Sequence, residues 1–183
     1  MRPQTVEWIE RVEQMRTSCL DRAAVIAALA LARLDEHNLA GLSSRQDEQL
    51  RDNLIDFAFR ARKLIETLRR AECLSAESVH DPAIISSPAA DGVFYPTKPP
   101  SFVDILGRMI HSDHFEICRA PLPLSMDTTT PGSSGWSFSV ASDRDKNGAR
   151  HVVFVEYLLR DFVEFDTSLG LDLRLLRKWA SAG

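Results

Sequence analysis

Long apolar runs are missing from this sequence. A membrane-spanning helix needs about 20 consecutive, predominantly apolar residues. The most apolar stretch, AAVIAALALA from Ala23 to Ala32, falls well short of that and is bracketed by Arg22 and Arg33. It predicts a buried helix and no membrane association. The opening MRPQTVEWIERVEQMR is charged and amphipathic. With neither an apolar core nor a small-residue cleavage site, it predicts no secretory signal and a cytoplasmic location.

Cysteine is scarce as well. Cys19, Cys73 and Cys118 are far apart and form no Cys-x-x-Cys pair, which removes the zinc-ribbon and redox-exchange patterns and leaves reduced, structural thiols. An excess of charge of one sign is absent too: 22 Lys and Arg stand against 26 Asp and Glu, for a net charge of -4 and a pI near 5.7. General attraction to a phosphate backbone is therefore excluded, and any nucleic-acid contact must come from a local patch. Neither Gly41-Leu42-Ser43-Ser44 nor Ser133-Ser134-Gly135 has the glycine spacing of a phosphate cradle. No cofactor is expected.

What is present suits a globular chain. An apolar fraction of 44% and a charged fraction of 26% over 183 residues are enough for one domain with a sizeable core. Helical spacing runs through Val6, Ile9 and Val12, through a second segment from about Asp21 to His37 that Asp21 would cap, and through Leu50, Leu54, Phe57, Ala61, Leu64 and Leu68. NLAGLSSRQDEQ, with Gly41 and the Ser43/Ser44 pair, separates the last two segments into an antiparallel hairpin. Five prolines between Asp81 and Pro100 predict a long extended connection. Ser101 with Asp104 approximates a capping box and starts a short helix. WSFSVASD and ARHVVFVEY, on either side of Asn147-Gly148, predict a β-hairpin. YLLRDFVEF and LRLLRKW return to helical spacing. The expected fold is mainly α (α+β), a single domain over residues 1–183. An antiparallel helical bundle core would carry a small antiparallel β-hairpin at about 136–156, between the later helices, with long loops at 81–100 and 119–135.

The chemistry-bearing stretch is SFVDILGRMIHSDHFEI, Ser101 to Ile117. Arg108, His111 and His114 are its candidate catalytic residues. Histidine suits proton transfer near neutral pH, and arginine presents a permanently charged fork of donors to a phosphorane. Arg108 and His111, three apart, would share a helix side. Two other readings stand beside this one. A helix C-terminus attracts such cations through its exposed carbonyls. His111, Asp113 and His114 are ligand types for zinc or iron, but lack the third or fourth partner that a catalytic site takes. The basic Arg51, Arg60, Arg62, Lys63, Arg69 and Arg70 are expected to form a solvated face with internal ion pairs to Asp52, Asp56 and Glu66, or else to contact phosphates.

The run ILGRMIHSDHFEI, followed by a hairpin and a closing helix, resembles the HEPN-like (higher eukaryote and prokaryote nucleotide-binding) helical domains, over about residues 20 to 166. The resemblance implies a homodimer in stress, defence or toxin–antitoxin biology that binds RNA or nucleotide. In active members an arginine, a polar residue and a histidine cut RNA without metal. Here Arg108 and His114 have the family's spacing, with Met109 where those members carry a polar residue. The alternative is a catalytically inert protein–protein interaction module acting as a homodimer. A dimer would use Phe102 to His111, whose apolar residues surround more of the helix than one buried face needs, unless the segment Asp81–Pro100 covers them within the chain.

Overall fold

The computed structural model describes residues 6–32, 40–71, 84–87, 101–118, 136–142 and 150–182. The first helix, α1, runs unbroken over Val6–Leu31. Its buried residues Ile9, Val12, Cys19, Ala23, Ile26 and Ala30 recur at helical spacing, and Arg16 fills the one gap in that stripe. No proline or glycine interrupts it, so Asp21 lies exposed inside the helix and caps nothing. The two segments expected here are one element. Residues 33–39, the expected end of the second segment, lie outside the described residues.

Helix α2, Ala40–Arg70, begins before Gly41, so the expected glycine and serine stop and start signals sit within its first turns. Leu50, Leu54, Phe57, Ala61, Leu64 and Leu68 are fully buried, as their spacing predicts. The two helices run antiparallel, because early α1 residues meet late α2 residues. Arg60 donates to Ser18, and Arg22 pairs with Asp56 at 2.8 Å. At the other end, Gln46 Nε2 donates to the carbonyls of Leu29 at 2.6 Å and Ala32 at 2.8 Å. These carbonyls lie at the end of α1, where intrahelical donors run out, and that of Leu29 also accepts from the Ala32 amide at 3.3 Å.

Strand β1, Ile84–Ser87, lies within the stretch read as extended loop. Helix α3, Phe102–Ile110, starts with the expected capping box: the Asp104 amide donates to Ser101 Oγ, and the Ser101 amide donates to Asp104 Oδ2, both at 3.2 Å. Strands β2 (Ser112–Cys118), β3 (Ser137–Ser142) and β4 (Arg150–Phe154) follow. Helix α4, Val155–Ala182, closes the chain as one element where two had been expected. The β3–β4 pair forms the expected hairpin, antiparallel from Ser137 opposite Phe154 to Val140 opposite His151. Its Asn147-Gly148 turn, and most of 81–100 and 119–135, lie outside the described residues.

The hairpin is the centre of a four-stranded antiparallel sheet in the order β1-β4-β3-β2. The fold is mainly α with a small sheet, three of whose strands lie between α3 and α4 in the chain and one before α3, as expected in class and larger in strand count. Phe138 and Val140 of β3, Val153 of β4, and Phe115 and Ile117 of β2 turn to the helices. Phe115 stacks on Phe138 with centroids 5.1 Å apart, and Phe57 of α2 meets Phe162 of α4 edge to face at 5.0 Å. Each such side chain, fully buried, contributes roughly 1.5–3 kcal/mol of transfer free energy.

Helix α4 is clamped to α1 by charge. Arg16 donates from Nη2 to Asp166 Oδ2 at 2.9 Å and from Nε to Oδ1, and Arg177 pairs with Glu13 at 2.5 Å. Gly170 leaves room for the guanidinium, since a Cβ there would lie 2.8 Å from Arg16 Nη2.

Candidate functional site

Helix α3 puts Phe102, Ile105, Leu106 and Met109 into the core, with Val103 and Ile110 half-buried against it. Its apolar surround is therefore used largely within the chain, against α2 and the sheet. The cover comes from described elements, while the segment Asp81–Pro100 is described only at β1. Met109, which follows Arg108, is a core residue.

The cations gather where α3 ends. Arg108 lies half-buried in the last turn, and the exposed His111 is the C-cap, its amide donating to the Gly107 carbonyl at 3.1 Å. They are three residues apart at the helix end, where positive charge is stabilised by the terminal carbonyls. The helix-end reading and the site reading thus rest on the same geometry.

His111 also borders an open groove of about 480 Å³ between α2 and α3. Ile110 and His111 form one wall, and Asp56, Phe59, Arg60, Arg62, Lys63 and Glu66 form the other. Gly107 lets α3 approach this wall, since a Cβ there would come within 3.0 Å of Arg62 Nη1. Two ion pairs one helical turn long commit most of the charge: Arg60 to Asp56 at 3.0 Å and Arg62 to Glu66 at 2.9 Å. This matches the expectation of internal ion pairs on the basic helix. Lys63 and His111 make no ion pair among the described residues. Phe59 is 54% exposed, an unusual position for a large aromatic ring. Arg108 is not among the lining residues.

His114 lies elsewhere. A bulge between Ser112 and His114 resets β2, so Phe115 and Ile117 face the core, and His114 and Glu116 point the opposite way. His114 Nε2 approaches Glu116 Oε2 at 3.3 Å without the alignment of a hydrogen bond. The structure therefore brings Arg108 and His111 to one helix end and turns His114 to the other side of the sheet. Among the described residues, no three His, Cys, Asp or Glu side chains are placed to hold a metal ion.

Sequence reasoning passed over Phe59 as a site residue. Its signal was available: Phe59 falls off the stripe of Leu50, Leu54, Phe57, Ala61 and Leu64, on the charged side of α2. An aromatic residue there has no core to fill. Comparison of the chain with family models, curated proteins and solved structures gives no match. No described helix is long and apolar enough to cross a membrane.

Proposed function

We propose that this chain is a HEPN-like protein that binds RNA or a nucleotide in the groove between α2 and α3, acting in the cytoplasm in stress, defence or toxin–antitoxin biology. One observation carries the reading: among the described residues, Lys63 and His111 make no ion pair and stand with the exposed Phe59 around a groove whose other charges are neutralised. A base stacks on an exposed aromatic ring, worth about 1–3 kcal/mol, and a phosphate takes the ammonium and the imidazole. The net charge of -4 confines this attraction to the groove.

Binding is better supported than cleavage. Metal-free RNA cleavage needs a base for the 2′-hydroxyl, an acid for the leaving oxygen and a cation for the phosphorane. One chain offers Arg108 and His111 at a helix end, with His114 turned away, so a complete set requires a homodimer that unites two such ends. The test is incubation with assorted RNAs in chelator, beside Arg108→Ala and His111→Ala variants matched for folding. Cleavage lost in both variants supports a nuclease. Binding without cleavage supports the reading preferred here, and neither binding nor cleavage refutes it. That last result would leave an inert protein–protein interaction module, a reading supported by the exposed Leu171 and Leu175 of α4.

A further inference from the structure

Resting on the reading of the groove between α2 and α3 as an RNA or nucleotide site, we propose that it takes a nucleoside phosphomonoester in preference to an internal phosphodiester. The source is a free nucleoside monophosphate or the phosphorylated end of an RNA. Phe59 and Lys63 are one turn apart on α2, with Cβ atoms about 5–6 Å from each other, and both are exposed. An ion pair flanks them on each side. Arg62, bound to Glu66 at 2.9 Å, packs against Gly107 on the side of α3. Arg60, bound to Asp56 at 3.0 Å, lies toward α1, where Asp56 also meets Arg22 at 2.8 Å and Arg60 donates to Ser18.

What remains for a ligand is one ring and two cations. Lys63 of α2 and His111 at the end of α3 stand on opposite walls and make no ion pair among the described residues. A phosphomonoester carries about two negative charges at pH 7 and three acceptor oxygens, whereas a phosphodiester inside an RNA strand carries about one charge and two free oxygens. The monoester thus offers each cation a charge and an oxygen, while the ribose carries its base back one turn to Phe59. A continuous strand finds no such match. On the groove side of α2 the residues before Phe59 are Asp56 and Asp52, and Glu66 follows Lys63. Phe59 is the one aromatic ring among the described lining residues, so a second base has no ring to stack on. Arg70, the next cation along this side of α2, lies outside the groove. The site is one nucleotide long.

Isothermal titration calorimetry with adenosine, adenosine 5′-monophosphate and the methyl ester of that phosphate tests the proposal, beside one RNA oligonucleotide made with and without a 5′-phosphate. The parent should bind the monophosphate about 10-fold more tightly than its methyl ester, from the added charge-assisted hydrogen bonding. A free nucleotide as the source shows as the monophosphate bound more tightly than the phosphorylated RNA, and an RNA end as the reverse. Lys63→Gln and His111→Gln should each shrink the preference for the monophosphate over the ester, whereas Phe59→Ala should weaken adenosine, the monophosphate and the ester alike. Loss of fold cannot separate those two effects, and all three positions are exposed. A preference that both variants leave intact would overturn the proposal, as would an ester bound as tightly as the monophosphate. RNA bound equally with either end would then leave the groove as an RNA site, while binding of no probe would overturn the groove reading as well.

Discussion

Replacing Asp166 with alanine should destabilise the protein by about 2–3 kcal/mol, because it strands the Arg16 guanidinium between α1 and α4. Breaking a fully buried ion pair costs about 3–5 kcal/mol, and an exposed pair contributes at most about 1 kcal/mol. The Asp166 side chain is 8% exposed and that of Arg16 is 27%, which places this pair between the two limits. For a domain of this size, each kcal/mol shifts the melting temperature by roughly 2–4 °C, so a drop of roughly 4–12 °C is expected in thermal unfolding followed by far-ultraviolet circular dichroism. Gly170→Ala supplies the control. Alanine is favoured over glycine inside a helix by about 1 kcal/mol, yet here its Cβ would lie 2.8 Å from Nη2 and 3.1 Å from Cζ of Arg16. The substitution should destabilise the parent. It should become neutral or stabilising in the Asp166→Ala background, where Arg16 is released to swing aside. Asp166→Ala within about 0.5 kcal/mol of the parent, or a stabilising Gly170→Ala in the parent, would refute the clamp.

Gln46→Ala removes both hydrogen bonds to the Leu29 and Ala32 carbonyls and should cost about 1–3 kcal/mol in urea unfolding, with Gln46→Glu no rescue because a carboxylate cannot donate. Ser101→Ala breaks the capping box of α3 and should cost about 1 kcal/mol, read as the same melting shift with and without salt. Burial pushes the Cys19 thiol up to about 12, against a smaller downward pull from Arg60 and with small upward contributions from Asp166 and Asp56. The unfolded thiol ionises first, near pH 8.5. Its contribution to stability is therefore complete below that pH and is lost as pH rises toward about 12. Denaturant titrations from pH 8 upward should fall more steeply for the parent than for Cys19→Ala, and thiol reagents at pH 8 should reach Cys19 only on unfolding.

The helices were legible because apolar spacing reports the core side directly, as Leu50 to Leu68 shows. The capping box at Ser101 was legible because it is local. What the sequence hid was non-local. Asp21 looks like a cap until the stripe from Cys19 to Ala23 is seen to run straight through it, a stripe visible only once Arg16 is counted as a member neutralised by Asp166, 150 residues away. Strands β1 and β2 are short and join a sheet through partners distant in the chain, so a segment such as Ile84–Ser87 has no periodicity of its own to announce it. In the site, the helix end bearing Arg108 and His111 could be read from the sequence. The bulge that turns His114 away, and the approach of α2 that puts Phe59 and Lys63 opposite His111, could not, because both depend on packing between elements.

The central claim is a binding groove between α2 and α3, and its most direct test is fluorescence anisotropy of a labelled single-stranded RNA, with adenosine nucleotides as competitors, titrated with the parent protein and with Phe59→Ala and Lys63→Glu. Both positions are exposed, so the variants should fold and melt as the parent does. The account predicts saturable binding that weakens with salt, about 10-fold weaker affinity for Phe59→Ala from the lost stacking, and a shallower salt dependence for Lys63→Glu. Absence of saturable binding by the parent, or binding that both variants leave unchanged, would contradict it.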